Sequence, residues 1–183
     1  LLEVDGHHGD DVERDGERLG ELVLELGASD VLLAGTEEKA RELWDIRRAM
    51  GEAVKAQGDY REYDVSVPRN RIPAALRAID EITAELGARA LSYGHAGDGN
   101  LHVNLLRDEL SAERWQEVLA QAGPAIVSRI VSLGGTISGE HGIGLIQKDL
   151  LPLQLGSAEL DLMRGIKQVF DPLGILNPGK VLP

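Results

Sequence analysis

Cysteine is absent from this 183-residue chain, so disulfides and thiolate ligands are excluded and any bound cation must be held by nitrogen and oxygen. Aromatic side chains are almost as scarce. One Phe, two Trp and three Tyr leave a core that has to be built from Leu, Val, Ile and Ala. No apolar run approaches the ~20 residues that cross a bilayer as a helix, so no membrane span is expected. Positive charge is also short: 19 basic residues face 31 acidic ones, for a net charge of −12. Such a potential repels phosphate backbones and anionic lipid, so nucleic acid is not an expected partner. Length and a 43% apolar content suffice for one sizeable domain spanning 1–183. The opening LLEVDG has no initiating methionine and reads as a strand already under way, so a piece of a longer polypeptide is expected.

The most informative segment is GHAGDGNLH, which carries His95 and His102 on either side of a Gly/Asp/Gly/Asn turn. Asp-Gly between β-prone segments signals a two-residue hairpin. With Asp98-Gly99 as the turn, Gly97 pairs with Asn100, Ala96 with Leu101, and His95 with His102. The two imidazoles are then direct cross-strand neighbours, with Cβ atoms roughly 4.5–5.5 Å apart, and can share a divalent cation. Asn104 faces the same side two residues on. SGEHGIG, residues 138–144, offers a third ligand. Neighbouring side chains of an extended segment point to opposite faces, so Glu140 and His141 are expected to divide their work. One serves the metal, the other substrate or cofactor.

Periodicity places a strand at Leu1–Val4, an acidic helix at Asp10–Leu26, a short strand at Val31–Ala34 and a helix capped by Thr36. Tyr60–Val67 alternates as a strand, and a helix follows Pro68 and Pro73. The hairpin occupies Leu91–Leu106. Ser111 caps a long helix in which Gly123-Pro124 predicts a kink or break. Ser157 caps a last helix, ended by Asp171-Pro172. From Tyr60 the order is strand, helix, hairpin, helix, strand, the split βαβ pattern. The expected fold is α+β and ferredoxin-like, an antiparallel sheet with helices on one face, the earlier elements resembling half of a second copy.

Arg47 shares a helical face with Trp44 and suits a planar carboxylate, or covers the core edge with its stem. Glu62 and Asp64 lie on the polar face of a strand and are solvated by default. His7-His8 beside Asp10 and Asp11 reads as a polar loop. The glycines at 94, 97 and 99 and at 139, 142 and 144 lack the strand–GxGxxG–helix setting of a dinucleotide loop. The apolar tail LGILNPGKVLP is expected to dock against something.

Five motifs in order, LWDIRRA around Arg47, EYDVSVPRNRIP, GHAGDGNLHVN, SGEHGIG and FDPLGILNPGK, make the chain resemble the C-terminal domain of FAD-linked oxidases of the vanillyl-alcohol-oxidase type. That group contains the glycolate oxidase flavin subunit, D-lactate dehydrogenases and D-2-hydroxyglutarate dehydrogenase. The resemblance implies a domain that covers the flavin ring while an N-terminal domain holds most of the FAD. It implies that His95, His102 and Glu140 hold a divalent metal, zinc in particular, and that Asn104 and Arg47 bind a 2-hydroxy acid. His141 is implied as the base that takes the hydroxyl proton. Asn177, Gly179 and Lys180, within the tail 171–183, return to the flavin domain. An electron-acceptor subunit and a cytoplasmic location, peripheral to a membrane through that subunit, are further implications. The piece alone is expected to be inactive. Hydroxyglutarate-oxidising members carry Thr four residues after the arginine and Lys before the Tyr-Asp pair, where this chain has Gly51 and Glu62. A monocarboxylate such as D-lactate or glycolate is therefore expected. The competing readings are a stand-alone metal- or ligand-binding module and a zinc hydrolase.

Overall fold

Alternation along YREYDVS produces strand β1 (Tyr60–Ser66), with Tyr63 and Val65 in the core and Glu62, Asp64 and Ser66 on the opposite face. The computed structural model describes residues 1–183, which cluster into two compact units, Leu1–Ala53 and Val54–Pro183. In the second unit β1 is followed by helix α3 (Ile72–Glu85), strands β2 (Arg89–His95) and β3 (Asn100–Leu106), and helices α4 (Ala112–Ser132) and α5 (Ser157–Phe170). The sheet order is β1-β3-β2, antiparallel throughout. Thr136 forms an antiparallel bridge with Ser66 on the outer edge of β1. The split βαβ order is thus present, with its fourth strand reduced to one bridge.

Sheet residues Tyr63, Val65, Leu101, Val103 and Leu105 pack against Ala75 and Ile79 of α3 and against Trp115, Val118, Ala122, Ile126 and Ile130 of α4. Both helices therefore cover one face, as the α+β reading expects. The break at Gly123-Pro124 does not occur, and α4 runs through Pro124 unbroken. Val118, Ile126, Val127 and Ile130 are fully buried, each contributing about 1.5–3 kcal/mol. Together they outweigh the ~3 kcal/mol that an interior proline costs.

The hairpin forms two residues out of the expected register. His95 pairs with Asn100 and Tyr93 with His102, leaving Ala96–Gly99 as a four-residue loop. A type I′ turn needs positive φ at both central residues, and Asp98 does not adopt it. Instead the Asp98 N–H donates to the His95 carbonyl at 3.0 Å, and the Gly99 carbonyl accepts from Val67 at 2.9 Å. A slip of two keeps every side chain on its face, so His95 and His102 still share one, as diagonal neighbours.

In the first unit, helix α1 (Gly9–Glu25) precedes α2 (Glu37–Lys55), whose last two residues belong to the second unit. The Lys39 N–H donates to the Thr36 hydroxyl at 3.3 Å, so Thr36 caps α2 as expected. The strands expected at Leu1–Val4 and Val31–Ala34 do not form. Val4 and Val31 instead lie over Gly16 and Gly20 of α1, where an added Cβ would meet them at 3.7 and 3.5 Å. Without a neighbouring strand to take their N–H and C=O groups these segments form no ladder. No helix of the chain is long and apolar enough to cross a membrane.

Gly99 tests this register. Its φ is +74°, and a Cβ there would lie 1.9 Å from the Val67 carbonyl oxygen. Gly99→Ala is expected to cost about 2–3 kcal/mol, the sum of left-handed strain and a displaced hydrogen bond, measured by urea unfolding. An unchanged midpoint contradicts the close approach.

Candidate metal and substrate site

The site is organised around a carboxylate that sequence reasoning left in solvent. Asp64 is 3% exposed. Its Oδ2 accepts the backbone N–H groups of Gly139, Glu140 and His141 at 3.0, 2.7 and 2.7 Å, and the Ser138 hydroxyl at 3.3 Å. Its Oδ1 accepts from Asn100 Nδ2 at 2.6 Å. Three successive amides converging on one oxygen form an anion-binding concavity, here filled from within the chain. Residue 139 must be glycine for this approach, since a Cβ would lie 1.9 Å from Asn100 Nδ2. Burial pushes the Asp64 carboxyl up, but the His141 N–H, the Asn100 amide and the Glu140 N–H outweigh it and hold it below its ordinary value.

This wrapping aims the two loop side chains. They diverge because the backbone curls about Asp64, and not because the segment is an extended strand. Glu140 Oε1 lies 3.5 Å from His95 Nε2, and ligand atoms of His95, His102 and Glu140 all fall within 4.8 Å of one another. His141 turns to Glu62, with its Nδ1 3.5 Å from Glu62 Oε1. The His141 ring stacks on His102 at 5.0 Å between centroids, while His95 meets His102 edge-on at 5.8 Å. His102, 5% exposed, is therefore the centre of the group. Its Nδ1 lies 3.2 Å from Glu62 Oε1 but off the line of a hydrogen bond, and has no hydrogen-bond partner.

Donor chemistry fits a divalent cation at His95, His102 and Glu140. Two imidazoles and a carboxylate suit zinc, and ligands at its usual bond lengths stand about 3.3–3.4 Å apart around a tetrahedron. The His95–Glu140 separation matches that edge.

Asn104 shares the face of His102 on β3 and is buried. Its Nδ2 donates to the Leu91 and His102 carbonyls at 3.2 and 3.3 Å, and its Oδ1 meets no donor. Arg47 is half-buried on α2 of the first unit. The guanidinium of Arg48, its neighbour on the helix, lies 5.9 Å from the Trp44 ring centroid. Asn177, Gly179 and Lys180 lie on an exposed turn in which Lys180 Nζ donates to Asn177 Oδ1 at 3.0 Å. The tail is pinned to the glycine-rich loop, since the Val181 N–H donates to the Gly144 carbonyl at 2.8 Å. His7 and His8 stay exposed at the start of α1.

Asp64 and Glu62 are the residues that sequence reasoning missed. Alternation places both on the face of the histidines, and the register sets Asp64 opposite His102. That shared face was the available signal.

Comparison with known proteins places these features in a family. Residues 1–181 match the family model described as "FAD linked oxidases, C-terminal domain". The chain is 39% identical over 182 residues to a D-lactate dehydrogenase of Anaerostipes hadrus, covering 99% of this chain and 38% of the relative. It is 37% identical over 182 residues to the glycolate oxidase subunit GlcD of Bacillus subtilis (strain 168), covering 99% and 38%. With a D-2-hydroxyglutarate dehydrogenase of Stutzerimonas stutzeri (strain A1501), identity is 34% over 155 residues, covering 83% and 33%. The chain thus spans little more than a third of the length of these relatives.

Asp64→Asn tests the carboxylate. Either way the new amide is turned, its NH2 meets a donor, Asn100 Nδ2 on one side or the three backbone N–H groups on the other. A loss of about 2–3 kcal/mol at pH 7 is expected in thermal or urea unfolding. The folded Asp64 holds its proton less readily than the unfolded one. Its stabilisation is therefore complete above the unfolded value of about 3.9 and is lost as pH falls through the lower folded value. The asparagine variant should lack that part of the acid limb; an identical acid profile contradicts the assignment.

Proposed function

The chain belongs to the family of FAD-linked oxidase C-terminal domains, and from this premise we propose that it is the substrate-side domain of a longer flavoenzyme that oxidises a D-2-hydroxy acid to the 2-oxo acid. The observation that carries the reading is the meeting of His95, His102 and Glu140 at one point, with His141 stacked beside them. A divalent cation held by those three residues, zinc by its donors, supplies a Lewis acid that lowers the pKa of a substrate hydroxyl. FAD, carried mainly by the N-terminal domain of the full-length protein, supplies the hydride acceptor.

His141 takes the hydroxyl proton. Its Nδ1 faces Glu62, so Nε2 is the nitrogen available to accept. Asn104 offers its unpartnered Oδ1 as an acceptor towards the substrate. Arg47 supplies a guanidinium for the substrate carboxylate. Asn177, Gly179 and Lys180 return to the flavin domain, and the exposed Leu173 and Ile175 of the same tail give that contact its apolar part. Electrons then pass to an acceptor subunit, and the protein acts in the cytoplasm.

Substrate size and charge follow from the space beside the base. A cavity of about 230 Å³ is lined by Glu62, Asp64, His141 and the loop to Gln147. Glu62 puts a negative charge on its wall. A second substrate carboxylate about 6 Å from it, at an effective dielectric of about 20, is opposed by roughly 3 kcal/mol, or about 100-fold in kcat/KM. D-lactate or glycolate is therefore the substrate type, in preference to D-2-hydroxyglutarate.

With the flavin-containing protein, D-lactate should be oxidised with a kcat/KM well above that for D-2-hydroxyglutarate; a strong preference for the diacid defeats the substrate assignment. His102→Ala should lose the bound cation by metal analysis. Equal content in variant and wild type would count against the metal site.

A further inference from the structure

Glu62, His102 and His141 form a second set of ligand atoms within 4.8 Å of one another, beside the set of His95, His102 and Glu140. Glu62 Oε1 stands 3.2 Å from His102 Nδ1 and 3.5 Å from His141 Nδ1. These separations match the edge of about 3.3–3.4 Å that a tetrahedral cation imposes on nitrogen and oxygen ligands. His102 Nδ1 is buried, lies between the Glu62 carboxylate and Asp64 Oδ1 (3.8 Å away), and has no hydrogen-bond partner. A polar atom left so has lost its water without gaining a partner, a loss that a cation at this point makes good. Asp64 belongs to neither set of ligand atoms; its oxygens hold the loop amides and Asn100 instead. Glu62 and His141 both line the open cavity, which gives a cation its path and a water its place as fourth ligand.

We propose that Glu62, His102 Nδ1 and His141 Nδ1 bind a second divalent cation, and that filling this position shuts off the site. A neutral imidazole has one lone pair. A cation on His141 Nδ1 moves the ring's proton to Nε2, which can then no longer accept one from a substrate hydroxyl. When the first cation occupies the other nitrogen of His102, the second displaces that ring's remaining N–H proton to solvent. This makes the second position the weaker of the two, filled only in excess metal. Binding stands on the geometry alone; the inhibition rests on the proposed role of His141 as base.

Zinc titrated into metal-free, flavin-containing protein by calorimetry should show two events. His95→Ala should remove the tight one, and Glu62→Gln, which keeps the size and removes the charge, the weak one. Excess zinc should inhibit the wild type, with the half-inhibiting concentration raised at least about tenfold in Glu62→Gln. Cobalt(II) titration counts the positions without any variant, by whether a second equivalent adds its own visible band. A single event lost equally in both variants, or a half-inhibiting concentration unmoved in Glu62→Gln, overturns the proposal.

Discussion

One buried carboxylate accepting three consecutive backbone amides holds the functional half of this molecule together. Hydrogen bonds to a charged group contribute about 1.5–3 kcal/mol each, and Asp64 collects them from a segment with no ladder to satisfy it. The pairing with β1 ends at Thr136: the Ile137 N–H turns to Gln154 Oε1, and those of Gly139, Glu140 and His141 gather on the Asp64 carboxylate. The glycine at 139 and the divergence of Glu140 from His141 both follow from this close wrapping of the carboxylate.

The candidate site is then a matter of faces. One surface of the sheet is spent on the aliphatic core demanded by a chain with few aromatics. The other carries Glu62, Asp64, Asn100, His102 and Asn104, polar side chains packed closely on strands whose backbone is already paired. Their hydrogen-bonding capacity exceeds what neighbours supply: Asn100 Oδ1, His102 Nδ1 and Asn104 Oδ1 are buried without partners. Unmet polar atoms on a rigid sheet are what a ligand site requires, because they gain from binding and need not be ordered by it.

Much of this was legible in the sequence, for reasons that also mark where legibility ends. Periodicity located α3, α4, α5 and β1, since each buries a regular stripe in a well-formed core. The shared face of His95 and His102 survived an error in register because the error was even-numbered. Pro124 does not break its helix because its local cost is smaller than the packing around it, which no local rule contains. The strands at 1–4 and 31–34 were misread because a strand needs a neighbour, and alternation alone does not supply one. Alternation alone leaves Asp64 in solvent, because the partners that bury it lie about 75 residues away along the chain. The resemblance to flavin-linked oxidases, resting on five motifs in order, brought Glu140 and His141 together with the hairpin where spacing alone left their roles unassigned.

That same distance along the chain fixes an order of assembly. Closing a loop of about 75 residues costs roughly 4 kcal/mol of chain entropy, which must be met before any amide reaches the carboxylate. β1, α3 and the hairpin can associate through shorter connections, so the segment bearing Glu140 and His141 clasps onto a scaffold that already exists. The candidate site is thus complete only while that clasp is closed, and a local opening that frees the loop from Asp64 would separate Glu140 and His141 from the hairpin and leave the sheet and its helices paired.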